Sequence, residues 1–377
     1  MPLTAKYLVH LEQASALLHR QQYLEAEKVL EPLLLQQVPE ALLMNVDILI
    51  ARKPSLGLDY VFELAEKDIP GAHYKAAFLL YFHPQVDVAF QPYLYAAYLK
   101  GDANAVVAAV NLYYQQGNLA KAQSIIYHFQ HLESVSAISS VLDFGAVDKA
   151  ITTKDFDDIK MPDLSSLSYQ LIAQEINLYT VDNFINDFEC HWLRWHAEKN
   201  IKRSTVVDGV TGKNEISKAR TGSVAQLIPS INDWVLLNIE MKIAAYFNLA
   251  IENGELSNVL HYSPTEEYKA HYDFFHPKDS GSAVALRDGG QRFKTVLIYL
   301  NDVKSGGETC FPRLSKSIKP KCKQLLIFNN TDNNFAPLPL SLHQGMPVIE
   351  GEKWLFSKWI REKPTTYKNV LNAISFL

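Results

Sequence analysis

The sequence predicts an α+β chain of two parts, an N-terminal helical repeat array followed by a β-rich domain of the sandwich or barrel kind. Three observations carry this. The 377 residues exceed the ~250 that one core usually supports, so a boundary is expected near the middle. From Leu3 to about His131 apolar residues recur three and four apart, with few β-branched runs, which is the period of helices packed on one face. After about Tyr169 the texture changes to short runs of branched and aromatic residues separated by Gly, Pro, Asn and Asp.

The helical part contains echoes of itself. Lys67 to Tyr81 (KDIPGAHYKAAFLLY) lies over Lys100 to Tyr114 (KGDANAVVAAVNLYY), matching Ala72 with Ala105, Ala76 with Ala109 and Tyr81 with Tyr114. Small residues at fixed places let helices approach closely, and large ones fill the gaps between them. Gln21 to Leu30 and Gln115 to Ile126 form a second echo, each with a turn-like start before Ala26 or Ala122. The pattern resembles tetratricopeptide and Sel1-like repeats, and the array is assigned to residues 1–133. Between about Ser134 and Ser168 the period fades and Asp, Ser and Thr collect with Pro162, so a linker is expected over 134–168, with a further short helix packed on both domains as the alternative.

The second domain is assigned to residues 169–377. Its predicted strands include Phe293 to Leu300, Gln324 to Asn329 and Trp354 to Ile360, a set that suits a sandwich or barrel. Asn186 to Ala197 and Ile231 to Phe247 read as helices, the first opened by Asn186 and Asp187 as capping candidates.

Composition narrows the function classes. Apolar residues make up 48% and charged residues 20%, the balance of a globular protein with a sizeable core. A formal charge of -5 without a Lys/Arg run gives no footprint for a polyanion, so nucleic acid is not an expected partner. No run of ~18 apolar residues occurs, so no membrane span is expected. The N-terminus lacks the features of a secretory signal, and Cys190, Cys310 and Cys322 have no CxxC spacing, so the expected home is a reducing cytoplasm without a disulfide framework or zinc site.

The chemistry concentrates in Tyr262 to Phe275 (YSPTEEYKAHYDFF). His271 and Asp273 stand two apart, and in an extended segment both would leave the same face. His343 follows two of the predicted strands and supplies a third ligand. Two histidines and one carboxylate on one side of an octahedron leave positions for a bidentate 2-oxoacid and O2, as in non-haem Fe(II) oxygenases. Lys353, at the start of a predicted strand, offers an ammonium for the far carboxylate of 2-oxoglutarate. The glycine pairs 289–290 and 306–307 are expected to shape turns, with no phosphate-loop context. Cys310 is expected to be a buried, inert thiol.

From about Val181 to Arg361 the chain resembles the prolyl 4-hydroxylase family of Fe(II)/2-oxoglutarate dioxygenases. The likeness runs through VDNF (Val181 to Phe184), Arg220 and Thr221, ENGELSNVLHY (Glu252 to Tyr262), Tyr268 to Phe275, GGQRFKTVLIYLNDV (Gly289 to Val303), GGETCFP (Gly306 to Pro312) and LHQGMPVIEGEKW (Leu342 to Trp354). It implies a double-stranded β-helix, or jelly roll, with flanking helices. It implies His271, Asp273 and His343 as iron ligands, Lys353 as the anchor of 2-oxoglutarate, and Tyr262 and Thr309 as hydrogen-bond partners of the same carboxylate. Tyr268, Arg292 and Trp359 match positions that line a peptide groove. Two departures stand out: Arg361, where several peptide-hydroxylating members have His, and Gly222 after Arg220 and Thr221, where Ser is more usual.

The resemblance implies a procollagen-proline 4-dioxygenase-like hydroxylase. It would hydroxylate a proline of a peptide or protein at C4 and convert 2-oxoglutarate and O2 to succinate and CO2, with ascorbate as an auxiliary reductant. The helical repeats would dock the polypeptide. Arg361 leaves open the same chemistry on another side chain or on a peptide natural-product precursor. A repeat scaffold that binds 2-oxoglutarate without turnover is the alternative outside enzymes.

Overall fold

A computed structural model describes residues 5–83, 88–139, 150–204, 206–207, 214–215, 219–276, 279 and 281–375. Contacts divide the chain into two compact units. The first comprises Met1–Pro162, Pro229–Val235 and Lys368–Leu377; the second comprises Asp163–Ile228 and Leu236–Tyr367.

The first unit is a helical array: α1 (Ala5–His19), α2 (Tyr23–Leu34), α3 (Pro39–Arg52), α4 (Pro54–Glu66), α5 (Ala72–Phe82), α6 (Gln91–Leu99), α7 (Ala103–Gln115), α8 (Leu119–Phe129), α9 (Glu133–Ser139) and α10 (Thr153–Asp157). Consecutive helices from α1 to α9 pack on each other. Local sequence explains their starts: Pro39 and Pro54 open α3 and α4, where a missing N–H costs nothing, and Asp102 caps α7 by accepting from the backbone of Asn104 and Ala105. The alanines matched in the two echoes, Ala72, Ala76, Ala105, Ala109, Ala26 and Ala122, are all fully buried. They are the close approaches that let neighbouring helices pack.

Segments distant in sequence complete this unit. Trp234 is fully buried, its ring 4.5 Å from that of Tyr81 and 5.1 Å from that of Phe82. Near the C-terminus, Ser375 donates to the buried carboxylate of Asp47, which also pairs with Lys75. Asp47 therefore has both a charge partner and a hydroxyl, as a buried carboxylate requires.

The stretch 134–168 is not a simple linker. It contains most of α9 and all of α10, the latter opened by a capping box between Thr152 and Asp155. Phe156 in α10 is fully buried, with ring centroids 5.0 Å from Tyr95, 5.1 Å from Tyr98 and 6.1 Å from Tyr113. Val135, Ile138 and Ile159 are buried as well, and Lys121 pairs with Asp155 at 2.8 Å, so the segment carries short packed helices. Residues 140–149 lie outside the described residues.

The second unit contains β1 (Tyr169–Ala173), β2 (Leu178–Val181), α11 (Asp187–Glu198), β3 (Lys202–Arg203), β4 (Val206–Val207), β5 (Asn214–Glu215), β6 (Ser223–Leu227) and most of α12 (Trp234–Tyr246). There follow β7 (Ser257–Tyr262), β8 (Tyr268–His271), α13 (Ser282–Ala285), β9 (Arg292–Tyr299), β10 (Ser305–Gly306), β11 (Thr309–Phe311), β12 (Lys316–Ile318), β13 (Leu325–Asn329), β14 (His343–Gly345), β15 (Val348–Glu350), β16 (Lys353–Arg361) and the start of α14 (Tyr367–Ala373). Eight strands form a major antiparallel sheet in the order β1-β2-β13-β9-β16-β7-β6-β3, and four form a minor sheet in the order β12-β11-β14-β8. Leu260, Leu297, Tyr299, Phe328 and Leu355 of the major sheet share one core with Phe311 and Ile318 of the minor sheet. This is the double-stranded β-helix.

Period-2 alternation assigns the faces of β16. Lys353, Leu355, Ser357, Trp359 and Arg361 share one face, and Lys358 lies on the other, where it donates to Glu240 of α12 at 2.8 Å. Asn186 caps α11 reciprocally with Glu189, as its position in the sequence suggested. All three cysteines are free thiols, yet Cys190 and Cys322 come within 4.0 Å of each other. Cys310 is half-buried with its sulfur 3.2 Å from Ser317 Oγ, not fully buried as expected, because it alternates with the inward Thr309 and Phe311 on β11.

If α10 is part of the packed array, Phe156→Ala will destabilise the first unit by about 3–5 kcal/mol, read from urea or thermal unfolding. A change within ~0.5 kcal/mol would restore the linker assignment.

Candidate active site

The site starts from strand register. His343 on β14 is the direct cross-strand partner of His271 on β8, which brings their rings to 4.3 Å. Asp273 does not lie on the same strand face as His271. The strand ends at His271, and a bend carries Asp273 inward, where it is 5% exposed. Its Oδ1 is 3.6 Å from His271 Nε2, and its Oδ2 is 3.5 Å from His343 Nε2. One ligand atom from each of the three residues lies within 4.8 Å of the others, the only such metal-ready group among the described residues.

The donor chemistry fits a divalent metal. Nδ1 of His271 bonds to Lys269 O at 2.8 Å and Nδ1 of His343 to Ser341 O at 2.9 Å, so each Nε2 is left with its lone pair for the centre. Burial, with His271 alongside, pushes His343 down to about 4, which keeps it in the neutral, ligating form at pH 7. Burial alone would raise Asp273, but His343 and His271 hold it well below the usual carboxylate range, so it is ionised. Thr295 of β9 fixes that carboxylate by donating to Oδ2 at 2.6 Å, and Asn330 in turn donates to Thr295 at 2.8 Å.

Lys353 sits opposite Tyr262 in the β16–β7 register and is 3% exposed. Its Nζ donates to Gly307 O at 2.7 Å and lies 5.6 Å from the Tyr299 ring and 5.8 Å from the Tyr262 ring. The close approach requires the turn at 306–307: both glycines have positive φ, and a Cβ on Gly306 would meet Pro347 O at 2.4 Å. Tyr299 donates to Thr309 Oγ1 at 2.8 Å, which puts Lys353, Tyr262, Tyr299 and Thr309 around one polar niche. Burial pushes Lys353 down to about 8. Gly222 packs against the same niche, since a Cβ there would meet His261 O and the Tyr262 ring at 2.6 Å. A serine at this position would press on Tyr262, which accounts for the departure from Arg-Thr-Ser.

The three residues expected to line a groove are placed differently from one another. Tyr268 stacks on His271, centroids 3.5 Å apart, beneath the Arg220 guanidinium at 5.0 Å. Arg292 grips Glu255 with Nε at 2.7 Å and Nη2 at 2.8 Å, reaches Asp273 O at 3.4 Å, and lies 3.7 Å over the Trp359 ring. Trp359 is half-buried, and its indole N–H has no protein partner among the described residues. Arg361 does not face a groove. It is 4% exposed and bound to Glu255 and to the backbone.

Thr295, Tyr299 and Glu255 were missed from the sequence. The first two were signalled by the alternation of FKTVLIYL, where Thr295 and Tyr299 share a face; Glu255, in an irregular segment, carried no periodic signal.

A carboxylate ligand needs Lys353 charged, and the free lysine loses its proton near pH 8. Affinity for 2-oxoglutarate is therefore expected to be level below about pH 8 and to fall roughly tenfold per pH unit above it. Calorimetric titration of the metal-loaded chain across pH 6.5–9.5 reads this. Lys353→Met will bind weakly without the bend, and an unbent wild-type profile would remove Lys353 from the site.

Residues 257–361, from the first residue of β7 to the last of β16, match the 2OG-Fe(II) oxygenase superfamily. Prolyl 4-hydroxylase 2 of Arabidopsis thaliana is 36% identical over 210 residues, which cover 50% of this chain and 68% of that protein. Prolyl 4-hydroxylase 1 of the same plant is 32% identical over 223 residues, covering 55% and 77%. A solved structure of a viral collagen prolyl hydroxylase from Paramecium Bursaria Chlorella virus-1, in its 2OG complex, is similar with 28% identity and a TM-score of 0.39, covering 49% of this chain and 95% of that one. A metal-ready His-Asp-His triangle beside a buried lysine, in a chain this close to those plant enzymes, is that of an Fe(II)- and 2-oxoglutarate-dependent dioxygenase, and the chain belongs to the prolyl 4-hydroxylase family.

Proposed function

We propose that this chain hydroxylates a prolyl residue at C4 within a peptide or protein, coupled to conversion of 2-oxoglutarate to succinate and CO2. The observation that supports it most is the His271, Asp273 and His343 triangle beside Lys353, in a chain 36% identical to a plant prolyl 4-hydroxylase. Iron(II) held by the three ligands supplies, with 2-oxoglutarate and O2, the oxidant for an unactivated C–H bond.

The chain's own residues divide the remaining work. Lys353 fixes the oxoacid through its distal carboxylate, aided by Tyr262 and Thr309, so that the reacting end is turned toward the metal ligands. Thr295 and Asn330 keep Asp273 in one rotamer. Tyr268 covers one face of His271 and excludes water there. Trp359, half-buried, presents an aromatic edge to a polypeptide, and Arg292 holds that ring in place. The helical unit docks the polypeptide, for which a stacked array has an extended surface.

The reading predicts succinate release from the Fe(II)-loaded chain with proline-rich peptides, and a gain of one oxygen on proline by mass spectrometry. Since even outer contacts to a metal ligand are worth ~10–100-fold, His271→Ala will lose more than ~100-fold. KM will fall as the peptide lengthens from a few residues to a long poly(L-proline). Unchanged succinate production in the variant, or oxygen gained on another residue type, would contradict the proposal.

A further inference from the structure

We infer that Arg361 is a positioning residue for this reaction: a latch that fixes Arg292 and the turn 285–291 beside Asp273, without touching the peptide. Its peptide arm rests on the prolyl-hydroxylation reading; its structural arm does not.

Four of the five N–H groups of Arg361 are engaged within the protein. Nη1 donates to Glu255 Oε1 at 2.9 Å, Nε to Gly290 O at 3.0 Å, and Nη2 to Gly290 O at 2.5 Å and Ala285 O at 2.6 Å. A guanidinium has five N–H groups, so one Nη1 N–H remains and no fork is left, on a side chain that is 5% exposed. The same Glu255 Oε1 accepts from Arg292 Nε, and Oε2 accepts from Arg292 Nη2. One carboxylate thus ties two guanidiniums that would otherwise repel.

The backbone that Arg361 grips leads back to the metal ligands. Gly289 and Gly290 have φ of +80° and +73°, and a Cβ on Gly290 would meet Glu362 Oε2 at 2.5 Å. Just after them, Gln291 brackets Phe275, accepting from its N–H at 2.7 Å and donating to its carbonyl at 2.8 Å. The Phe275 ring lies 4.8 Å from the Arg292 guanidinium and 4.7 Å from that of Arg361. Phe275 is two residues past Asp273. Arg361 therefore touches both ends of the connection between β8 and β9, the ligand end through Phe275 and the β9 end through Gly290.

Histidine cannot replace this. A neutral imidazole has one N–H, so the Ala285 and Gly290 carbonyls and Glu255 would share a single donor. Lysine keeps the charge on Glu255 but has no planar fork. At this position arginine exchanges any contact with substrate for control of the wall beside it.

The test uses the full chain with Fe(II), 2-oxoglutarate and poly(L-proline), comparing wild type with Arg361→His and Arg361→Lys. Loss of charge-assisted bonds is expected to raise amide hydrogen exchange in residues 285–291 by about tenfold in the His variant and less in the Lys variant. KM for poly(L-proline) is expected to rise about tenfold, with kcat and the 2-oxoglutarate Kd within about threefold. A raised KM with unchanged exchange would mean that Arg361 contacts the peptide, and unchanged exchange with unchanged KM would mean that it holds nothing. A tenfold weaker 2-oxoglutarate Kd would place its effect in the oxoacid niche. Each of these overturns the latch. If wild type leaves poly(L-proline) unmodified, the prolyl reading fails, and the exchange measurement still decides the latch.

Discussion

The pairing of β8 with β14 is the constraint on which the site depends. His271 and His343 are opposite residues in that pair, and a slip of one residue would turn one imidazole to the other face of the sheet. The major sheet imposes the same rule on the polar niche around Lys353, where Lys353 lies opposite Tyr262 and Leu355 opposite Tyr299. His271, His343 and Lys353 thus come from two sheets whose registers are fixed by a shared hydrophobic core. Chemistry here is a consequence of packing.

Buried charge shows how the interior is divided. On the outer face of the major sheet, Lys358 meets Glu240, which also accepts from Ser257 and Tyr367, so charge and hydrogen bonds are satisfied within the protein. On the inner face the matching is incomplete by design. Among the described residues Lys353 has a single backbone carbonyl and no carboxylate within ion-pair distance, and Asp273 stands between two imidazoles that turn lone pairs toward it. A buried ammonium without an anion is costly, and that cost is recovered when a carboxylate ligand enters. The unmatched groups mark where ligands belong.

Much of this was legible in the sequence, for identifiable reasons. The strands β9, β13 and β16 announced themselves because each is a dense run of branched and aromatic residues between turn signals, and α11 because Asn186 is a capping residue type at its start. The small residues of the helical echoes were found because helix packing demands them at a fixed spacing. What escaped depended on tertiary context. The bend that delivers Asp273 is not a strand, the 134–168 segment is held by scattered buried side chains such as Phe156 and Ile159, and the direction of Arg361 is set by carbonyls that lie more than 70 residues away in sequence. A substitution seen as a change of substrate contact is, in space, a brace.

The central claim is that His271, Asp273 and His343 hold the iron on which oxoacid binding by Lys353 depends. Anaerobic equilibrium dialysis of Fe(II) and 2-oxoglutarate together against the full chain tests it most directly. The account predicts one Fe(II) and one 2-oxoglutarate per chain, and the loss of both ligands in Asp273→Ala with the fold intact by circular dichroism. Retention of stoichiometric Fe(II) by Asp273→Ala would contradict it.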